Sequence, residues 1–243
     1  MESKRGLPLH DEALRDVTHV FLDVGGTILH PEPGTSEVFR TVLGRRGHLP
    51  DRETIQRVVR SPDRIVSLIR PLARDRQDGF YRHLNARVVE HLGFGSDEPL
   101  LDELDESFAA VVWRPYPETL VALETLRRTV YHLGVISNAS HRLPQMLAEC
   151  RVLDFFETVT YSSEVGAEKP DPRIFRRAIA QAGTSPERAV HVGDSYEADY
   201  LGARNAGLHA FVLMREGEPP APCPRIRSLD ALAALLGTSR SRP

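Results

Sequence analysis

Cysteine is almost missing from this chain. Cys150 and Cys223 are its two representatives in 243 residues, far apart and outside any CxxC, so neither a disulfide framework nor a zinc site is expected. Long apolar runs are missing as well, and nothing approaches the roughly 20 residues that span a bilayer. The segment Met1–Asp16 is charged, is broken by Pro8 and lacks the apolar core of a signal peptide. Excess charge of one sign is absent: 31 basic and 34 acidic residues leave a formal net charge of -3. That balance offers no electrostatic reason to expect nucleic acid or an anionic membrane as a partner. The expectation is a cytoplasmic protein, a monomer or weak homodimer. Lysine is scarce too, with Lys4 and Lys169 the two lysines among the 31 basic residues. Codon usage alone can produce such a bias. There is no GxGxxG after a strand, no GxxxxGK[ST], no HExxH and no GxSxG, which removes the usual dinucleotide, P-loop, zinc-protease and serine-hydrolase readings.

What is present is an ordinary globular composition, 41% hydrophobic and 27% charged, long enough for a full core with an insert. Val17 to Asp23 is a short apolar run ending in a carboxylate and followed by Gly25-Gly26, the pattern of a buried parallel strand entering a loop. Similar runs follow at Tyr131–Ser137, Thr158–Tyr161, Ala189–Gly193 and His209–Met214. Helical periodicity lies between them, with Leu120, Leu123 and Leu126 on one face of Pro117–Thr129. In Pro172–Ala182 the corresponding face carries Ile174, Phe175, Ala178 and Ile179. This alternation predicts an α/β fold with a doubly wound, Rossmann-like parallel sheet. Glu37–Trp113 breaks the alternation. It offers helices at Glu37–Arg46, Arg52–Val59, Gly79–Leu92 and Pro99–Val112 but no convincing strand. The simplest organisation is a core domain from residues 1–32 and 114–243 with an all-helical insert at 33–113. After the proline-rich turn at Pro219–Pro224, Leu229–Leu236 reads as a closing amphipathic helix.

In open α/β sheets, ligands bind beyond the carboxyl ends of the strands. Asp23, Ser137-Asn138, Lys169 and Asp194 all fall at or just after such ends. Each has a plain structural explanation: a turn residue for Asp23, helix N-caps for Ser137-Asn138 and Asp194-Ser195, a solvated charge for Lys169. Asp23 resists its explanation best, because ending a buried strand in an unpaired carboxylate is costly. Taken together, in this order on one sheet edge, the group points to a site.

DVGGT (Asp23–Thr27), VISN (Val135–Asn138), EKPDPRIF (Glu168–Phe175) and HVGDSYEAD (His191–Asp199) resemble the four ordered motifs of the haloacid dehalogenase-like hydrolase superfamily. The tail PRIRSLDALAALL resembles the end of its phosphatase-type subfamily. The resemblance covers nearly the whole chain and implies that the insert is a helical cap. It also implies a small phosphorylated metabolite as substrate, with Asp23 as the nucleophile that forms an aspartyl-phosphate. Mg²⁺ is implied as cofactor, held by the carboxylates of Asp23 and Asp194 and the backbone carbonyl of Gly25. Ser137 and Asn138 would bind the phosphoryl group, and Lys169 would bridge Asp23 and that group. A chain so rich in arginine keeps a lysine here, where a planar guanidinium would fit poorly. Asp199 is implied as a residue behind the ligands or an alternative ligand.

The chain departs from the pattern at Gly25, where phosphatases of this superfamily carry a second aspartate that serves as acid and base. Three readings follow. In order of preference they are a phosphatase that is slow or selective for good leaving groups, a phosphate- and Mg²⁺-binding regulatory protein, and a 2-haloacid dehalogenase. His30, Glu32, Tyr196 and Glu197 are conceivable substitute acids, though each is more simply a surface or packing residue. The dehalogenases carry a large aromatic at the position of Gly25. Phosphonatase chemistry needs a cap lysine, and Glu37–Trp113 contains none. Arg70, Arg82 and Arg87 in the insert could bind a second anionic group, with a solvated helix face the simpler role. The other histidines read as surface or structural.

Overall fold

The computed structural model describes residues 14–59, 80–129 and 131–240. Its centre is a six-stranded sheet built from β1 (His19–Leu22), β4 (His132–Ser137), β5 (Thr158–Tyr161), β6 (Ala189–Gly193), β7 (His209–Leu213) and the short β8 (Arg225–Ile226), in the order β5-β4-β1-β6-β7-β8. All its pairings are parallel. Val20, Phe21 and Leu22 in β1, and all five residues of β6, are buried, the pattern of strands covered on both faces. The helices between them are α5 (Thr119–Arg128), α6 (Leu143–Glu149), α7 (Ser162–Val165), α8 (Pro172–Gln181), α9 (Gly202–Asn205) and the closing α10 (Leu229–Arg240). Asp171 caps α8 by accepting from the Arg173 N–H, and Pro172 occupies its first turn. Ile174, Phe175, Ala178 and Ile179 then form its buried face, packed with Phe21 and Ile136 of the sheet. Gly134 makes room for that packing: a Cβ there would lie 2.7 Å from the Phe21 ring and 2.6 Å from Thr158 Oγ1.

Sheet order decides where chemistry can sit. β1 lies between β4 and β6, with Leu22 level with Val135 on one side and Val192 on the other. The loops leaving β1, β4 and β6 therefore emerge side by side at one edge, which places residues 23, 137 and 194 in neighbouring exits.

The molecule divides into two compact units, with boundaries at His30/Pro31 and Arg114/Pro115. In the second unit, α1 (Thr35–Arg45), α2 (Arg52–Val59), α3 (Phe80–His91) and α4 (Glu98–Ala109) share a core of Val38, Phe39, Val42, Leu43, Ile55, Val89 and Leu104. Asp97 caps α4 by accepting from the Leu100 N–H at 2.8 Å. Arg82 is spent inside this unit on Asp105 at 2.6 Å, Asp102 at 2.8 Å and Glu98. Arg87 pairs with Glu90 at 2.7 Å. Arg70 lies outside the described residues.

One boundary needs correction. Among the described residues, the insert expected at 33–113 is helical except at its end, where Val112 and Trp113 begin β3 (Val112–Pro115), which pairs with β2 (Leu29–Glu32) just before the insert. β3 holds a charge and ends in proline, so neither an apolar run nor an apolar–polar alternation in its sequence marks it, although its burial alternates. β8 was also not anticipated. Its two residues, directly after a proline-rich turn, are too few to carry a pattern.

Candidate active site

Asp23 follows β1 and is held at its backbone by an N–H bond to the Val192 carbonyl at 2.9 Å. Its side chain is buried, and its Oδ1 accepts from the Ser137 hydroxyl at 3.0 Å and from Lys169 Nζ at 2.7 Å. Oδ2 meets the Thr27 hydroxyl at 3.5 Å. Ser137 is therefore no helix cap, since its hydroxyl serves the carboxylate of the neighbouring strand. The side chain of Asn138 bonds to the backbone of Lys169. Its side-chain amide donates to the Lys169 carbonyl at 3.0 Å and accepts from the Lys169 N–H at 2.7 Å. Both ends of the amide are thus used to anchor the lysine loop.

Lys169 is buried and bridges two carboxylates, Asp23 and, at 2.5 Å, Asp199 Oδ1. Burial works against its charge, but attraction to Asp199 and Asp23 prevails and raises its pKa above the ordinary value. Asp199 moves the other way. Desolvation opposes its charge, yet Lys169 and His191 hold the carboxyl well below the usual carboxylate range.

Asp199 reaches this position through an unusual turn. Ser195 accepts from the Ala198 N–H at 3.1 Å as an N-cap, and the chain then winds as one wide π turn over Tyr196–Leu201, with the Tyr200 N–H returning to the Ser195 carbonyl at 3.2 Å. Asp199 Oδ2 accepts from the Ser195 N–H at 2.9 Å. The approach is so close that a Cβ on Gly193 would sit 2.1 Å from Asp199 Cγ. With Oδ1 on Lys169 and His191 and Oδ2 on Ser195, Asp199 stands behind the site.

Asp194 stands in front. Oxygens of Asp23, Asp194 and Asp199 lie within 4.8 Å of one another. Asp194 is exposed, with a side-chain oxygen close to the backbone of Gly26. Desolvation first, then repulsion from Asp23 and Asp199, raises its carboxyl pKa well above the usual range, and its exposure lets water moderate part of that cost. Three carboxylates and one ammonium leave the cluster at -2 when all are ionised. Two carboxylate charges 4.8 Å apart repel by roughly 3 kcal/mol at an effective dielectric near 20. An all-oxygen donor set under that repulsion suits a hard divalent cation such as Mg²⁺.

The loop after Asp23 is tight. The Ile28 and Leu29 N–H groups both return to the Val24 carbonyl at 2.9 Å. Among the described residues, Gly26 is the glycine of this loop with a positive φ, at 78°, and a Cβ there would lie 2.1 Å from Asp194 Oδ2. Gly26→Ala therefore combines a backbone penalty of about 1–2 kcal/mol with a collision against a site carboxylate. A lower unfolding midpoint and a large loss of hydrolytic activity are expected. Thermal unfolding and initial rates on an aryl phosphate check this, and an alanine variant matching the parent in both would contradict the geometry.

Three residues near this edge went unrecognised in the sequence. His191 is fully buried and donates from Nε2 to Asp199 Oδ1 at 2.9 Å. Arg215, just after β7, lays its guanidinium 3.6 Å from the centre of the Tyr116 ring, donates to the Thr27 carbonyl at 2.9 Å and pairs with Glu118. The Tyr116 hydroxyl pKa is raised, by burial first, with Arg215 lowering it and Asp194 raising it. Of the conceivable acids, His30 packs on Tyr116 at 4.9 Å between ring centroids, Tyr196 stacks on Tyr200, Glu197 is exposed, and Glu32 pairs with Arg114.

A parallel α/β sheet thus carries a carboxylate cluster and a bridging lysine at its carboxyl edge. The sequence profile described as haloacid dehalogenase-like hydrolase matches residues 17–207, and the chain belongs to that family. A glyceraldehyde 3-phosphate phosphatase of Methanothermobacter thermautotrophicus is 36% identical over 154 residues, which are 61% of this chain and 67% of that protein. The haloacid dehalogenase-like hydrolase domain-containing protein 3 of Mus musculus is 38% identical over 116 residues, 47% of this chain and 46% of that protein. The matches thus span between about half and two thirds of these relatives. A HAD phosphatase from Thermococcus onnurineus superposes with a TM-score of 0.60 at 28% identity, covering 92% of this chain and all of that one. A 2-haloacid dehalogenase from Pseudomonas syringae superposes with a TM-score of 0.57 at 26% identity, covering 91% and 99%. The chain is accordingly a hydrolase of this family. No described helix is long and apolar enough to cross a membrane.

Proposed function

We propose that the protein is a Mg²⁺-dependent phosphatase for a small phosphorylated metabolite, working through an aspartyl-phosphate on Asp23. The observation that carries this reading is the second carboxylate, Asp194, set within 4.8 Å of Asp23 opposite a single ammonium. Displacing a halide from carbon requires no such pair. A phosphoryl group approaching Asp23 does, because its negative charge must be offset. Asp23 and Asp194, with the backbone carbonyl of Gly25, would hold Mg²⁺, which would supply positive charge between the nucleophile and the phosphoryl oxygens. Asp199, whose oxygens are already engaged, is a support for Lys169 in this reading.

In the first step a carboxylate oxygen of Asp23 attacks phosphorus, the bond from phosphorus to the leaving oxygen breaks, and the alcohol fragment departs with its electron pair. Ser137 turns its hydroxyl from Asp23 toward a phosphoryl oxygen, and Lys169 keeps its ammonium between carboxylate and phosphoryl group. Water then attacks phosphorus, the bond to Asp23 breaks, and inorganic phosphate leaves. Relatives named as phosphatases for glyceraldehyde 3-phosphate support a substrate of that size and charge. The helical unit at 31–114 is proposed as the cap that selects it.

Asp194→Ala is expected to raise the Mg²⁺ concentration for half-maximal activity by more than about tenfold, since even residues behind metal ligands change affinity by that factor. A Mg²⁺ titration of initial rates measures it. Full activity in excess EDTA would end the metal-dependent reading. Release of halide from a 2-haloacid without aryl phosphate turnover would favour the dehalogenase, and phosphate binding without turnover would favour the regulatory protein.

A further inference from the structure

His191 lies midway along β6 and is fully buried, in a strand whose other members are Ala189, Val190, Val192 and Gly193. Packing alone does not account for an imidazole there. Among the described residues its Nδ1 has no hydrogen-bond partner, and an unpaired polar atom inside a protein is destabilising. Its ring meets Phe175 edge-on at 5.4 Å between centroids, a contact that a phenylalanine would make as well. What the imidazole alone supplies is the Nε2–H, 2.9 Å from Asp199 Oδ1.

That bond acts on the reacting group through two links. Asp199 Oδ1 also accepts from Lys169 Nζ at 2.5 Å, and the same Nζ donates to Asp23 Oδ1 at 2.7 Å. Asp199 Oδ2 is tied to the Ser195 N–H at 2.9 Å. Donors on a strand, a lysine loop and a turn thus fix both oxygens of one carboxylate and set the direction from which it pulls on the ammonium. Among the described residues, removal of the histidine leaves Lys169 and Ser195 as the donors that hold that carboxylate. Its plane can then turn about the Cβ–Cγ bond and draw Nζ away from Asp23.

We propose that His191 is a positioning residue, which orients Asp199 so that the Lys169 ammonium stays on Asp23. The proposal rests on the reading of Asp23 and Lys169 as the reacting pair. His191 itself touches neither substrate nor metal. Its contribution is to the geometry of the charge facing the phosphoryl group, where small displacements are costly in rate.

The test compares His191→Phe and His191→Gln with the full-length parent, reading kcat and KM on p-nitrophenyl phosphate together with the thermal unfolding midpoint. Phenylalanine fills the space and removes the orphaned Nδ1, so the midpoint is expected to stay level or rise while kcat falls by about tenfold and KM changes little. Glutamine, whose amide nitrogen can take the place of Nε2, is expected to recover most of the kcat without being the more stable of the two. A purely structural histidine would give the reverse, with lost stability and retained kcat. A phenylalanine variant with parental kcat, or a glutamine variant no faster than phenylalanine, overturns the proposal. Should phenylalanine not be accommodated, His191→Leu takes its place with the same readings. Asp23→Asn separates the two levels: if it stays active, the reading of the reacting pair fails. If it is inactive while His191→Phe is fully active, the positioning role alone fails.

Discussion

Asp23→Asn is expected to reduce phosphate ester turnover by about 10³-fold or more while leaving the fold intact. The amide matches the carboxylate in shape, and its oxygen can still accept from Ser137 and Lys169, now at 3.0 and 2.7 Å from Oδ1. Lys169 also keeps Asp199 at 2.5 Å, so the buried ammonium retains a charged partner. Removing the charge from Asp23 relieves its repulsion of Asp194, which offsets part of the lost attraction to Lys169. Replacing Lys169 instead would leave Asp23 and Asp199 buried without their cation, a change that typically costs about 3–5 kcal/mol. The lysine substitution thus confounds chemistry with folding, and the asparagine substitution does not. Initial rates on p-nitrophenyl phosphate and a thermal unfolding curve on the same preparation make the comparison. An asparagine variant with more than a tenth of parental activity would remove Asp23 from the nucleophile's role.

The part of this site that could be read from the chain is the part that depends on strand ends. A run such as Val20-Phe21-Leu22 closed by Asp23 carries its own signal, because apolar residues on both faces mean burial and a carboxylate there needs a reason. Once β1 lies between β4 and β6, the exits of those strands must adjoin, and Asp23, Ser137 and Asp194 come together without further information. What could not be read depends on the path between elements. Asp199 lies five residues after Asp194, and the direction of its side chain follows from a π turn and from the missing Cβ of Gly193, neither of which leaves a periodic pattern. His191 was hidden by its neighbours, since a single polar residue in an apolar strand looks like a tolerated exception. Arg215 is one arginine among many in this chain, and nothing local distinguishes it. Asn138 was found, but its amide bonds to Lys169 join segments 31 residues apart. The ribbon of β2 and β3 was missed because it is short, polar and only partly buried.

With glycine at position 25, phosphoryl transfer should depend steeply on the leaving group. An aspartate two residues after the nucleophile would protonate the departing oxygen, a contribution of about 10²–10⁴-fold. Without it, an alkoxide must leave largely unprotonated, whereas a phenolate or carboxylate leaves readily. Aryl and acyl phosphates are therefore expected to form the phosphoenzyme about 10²-fold faster than alkyl phosphates, beyond their difference in solution. In the proposed mechanism, water attack on an aspartyl-phosphate would lack the same base, so a burst followed by slower turnover is expected with the best leaving groups. Rapid-quench measurement across a series of leaving groups resolves both phases. The converse substitution is open to test, because the positive φ in this loop falls on Gly26, at 78°. Gly25→Asp should then restore part of the rate for alkyl substrates and flatten the series. Equal rates for aryl and alkyl phosphates in the parent, with chemistry limiting, would mean that another residue donates the proton. Tyr116 would be the first to replace, since its hydroxyl feels the charges of both Arg215 and Asp194. A Tyr116→Phe variant that became sensitive to the leaving group would identify the donor, and one that stayed insensitive would move the search to His30.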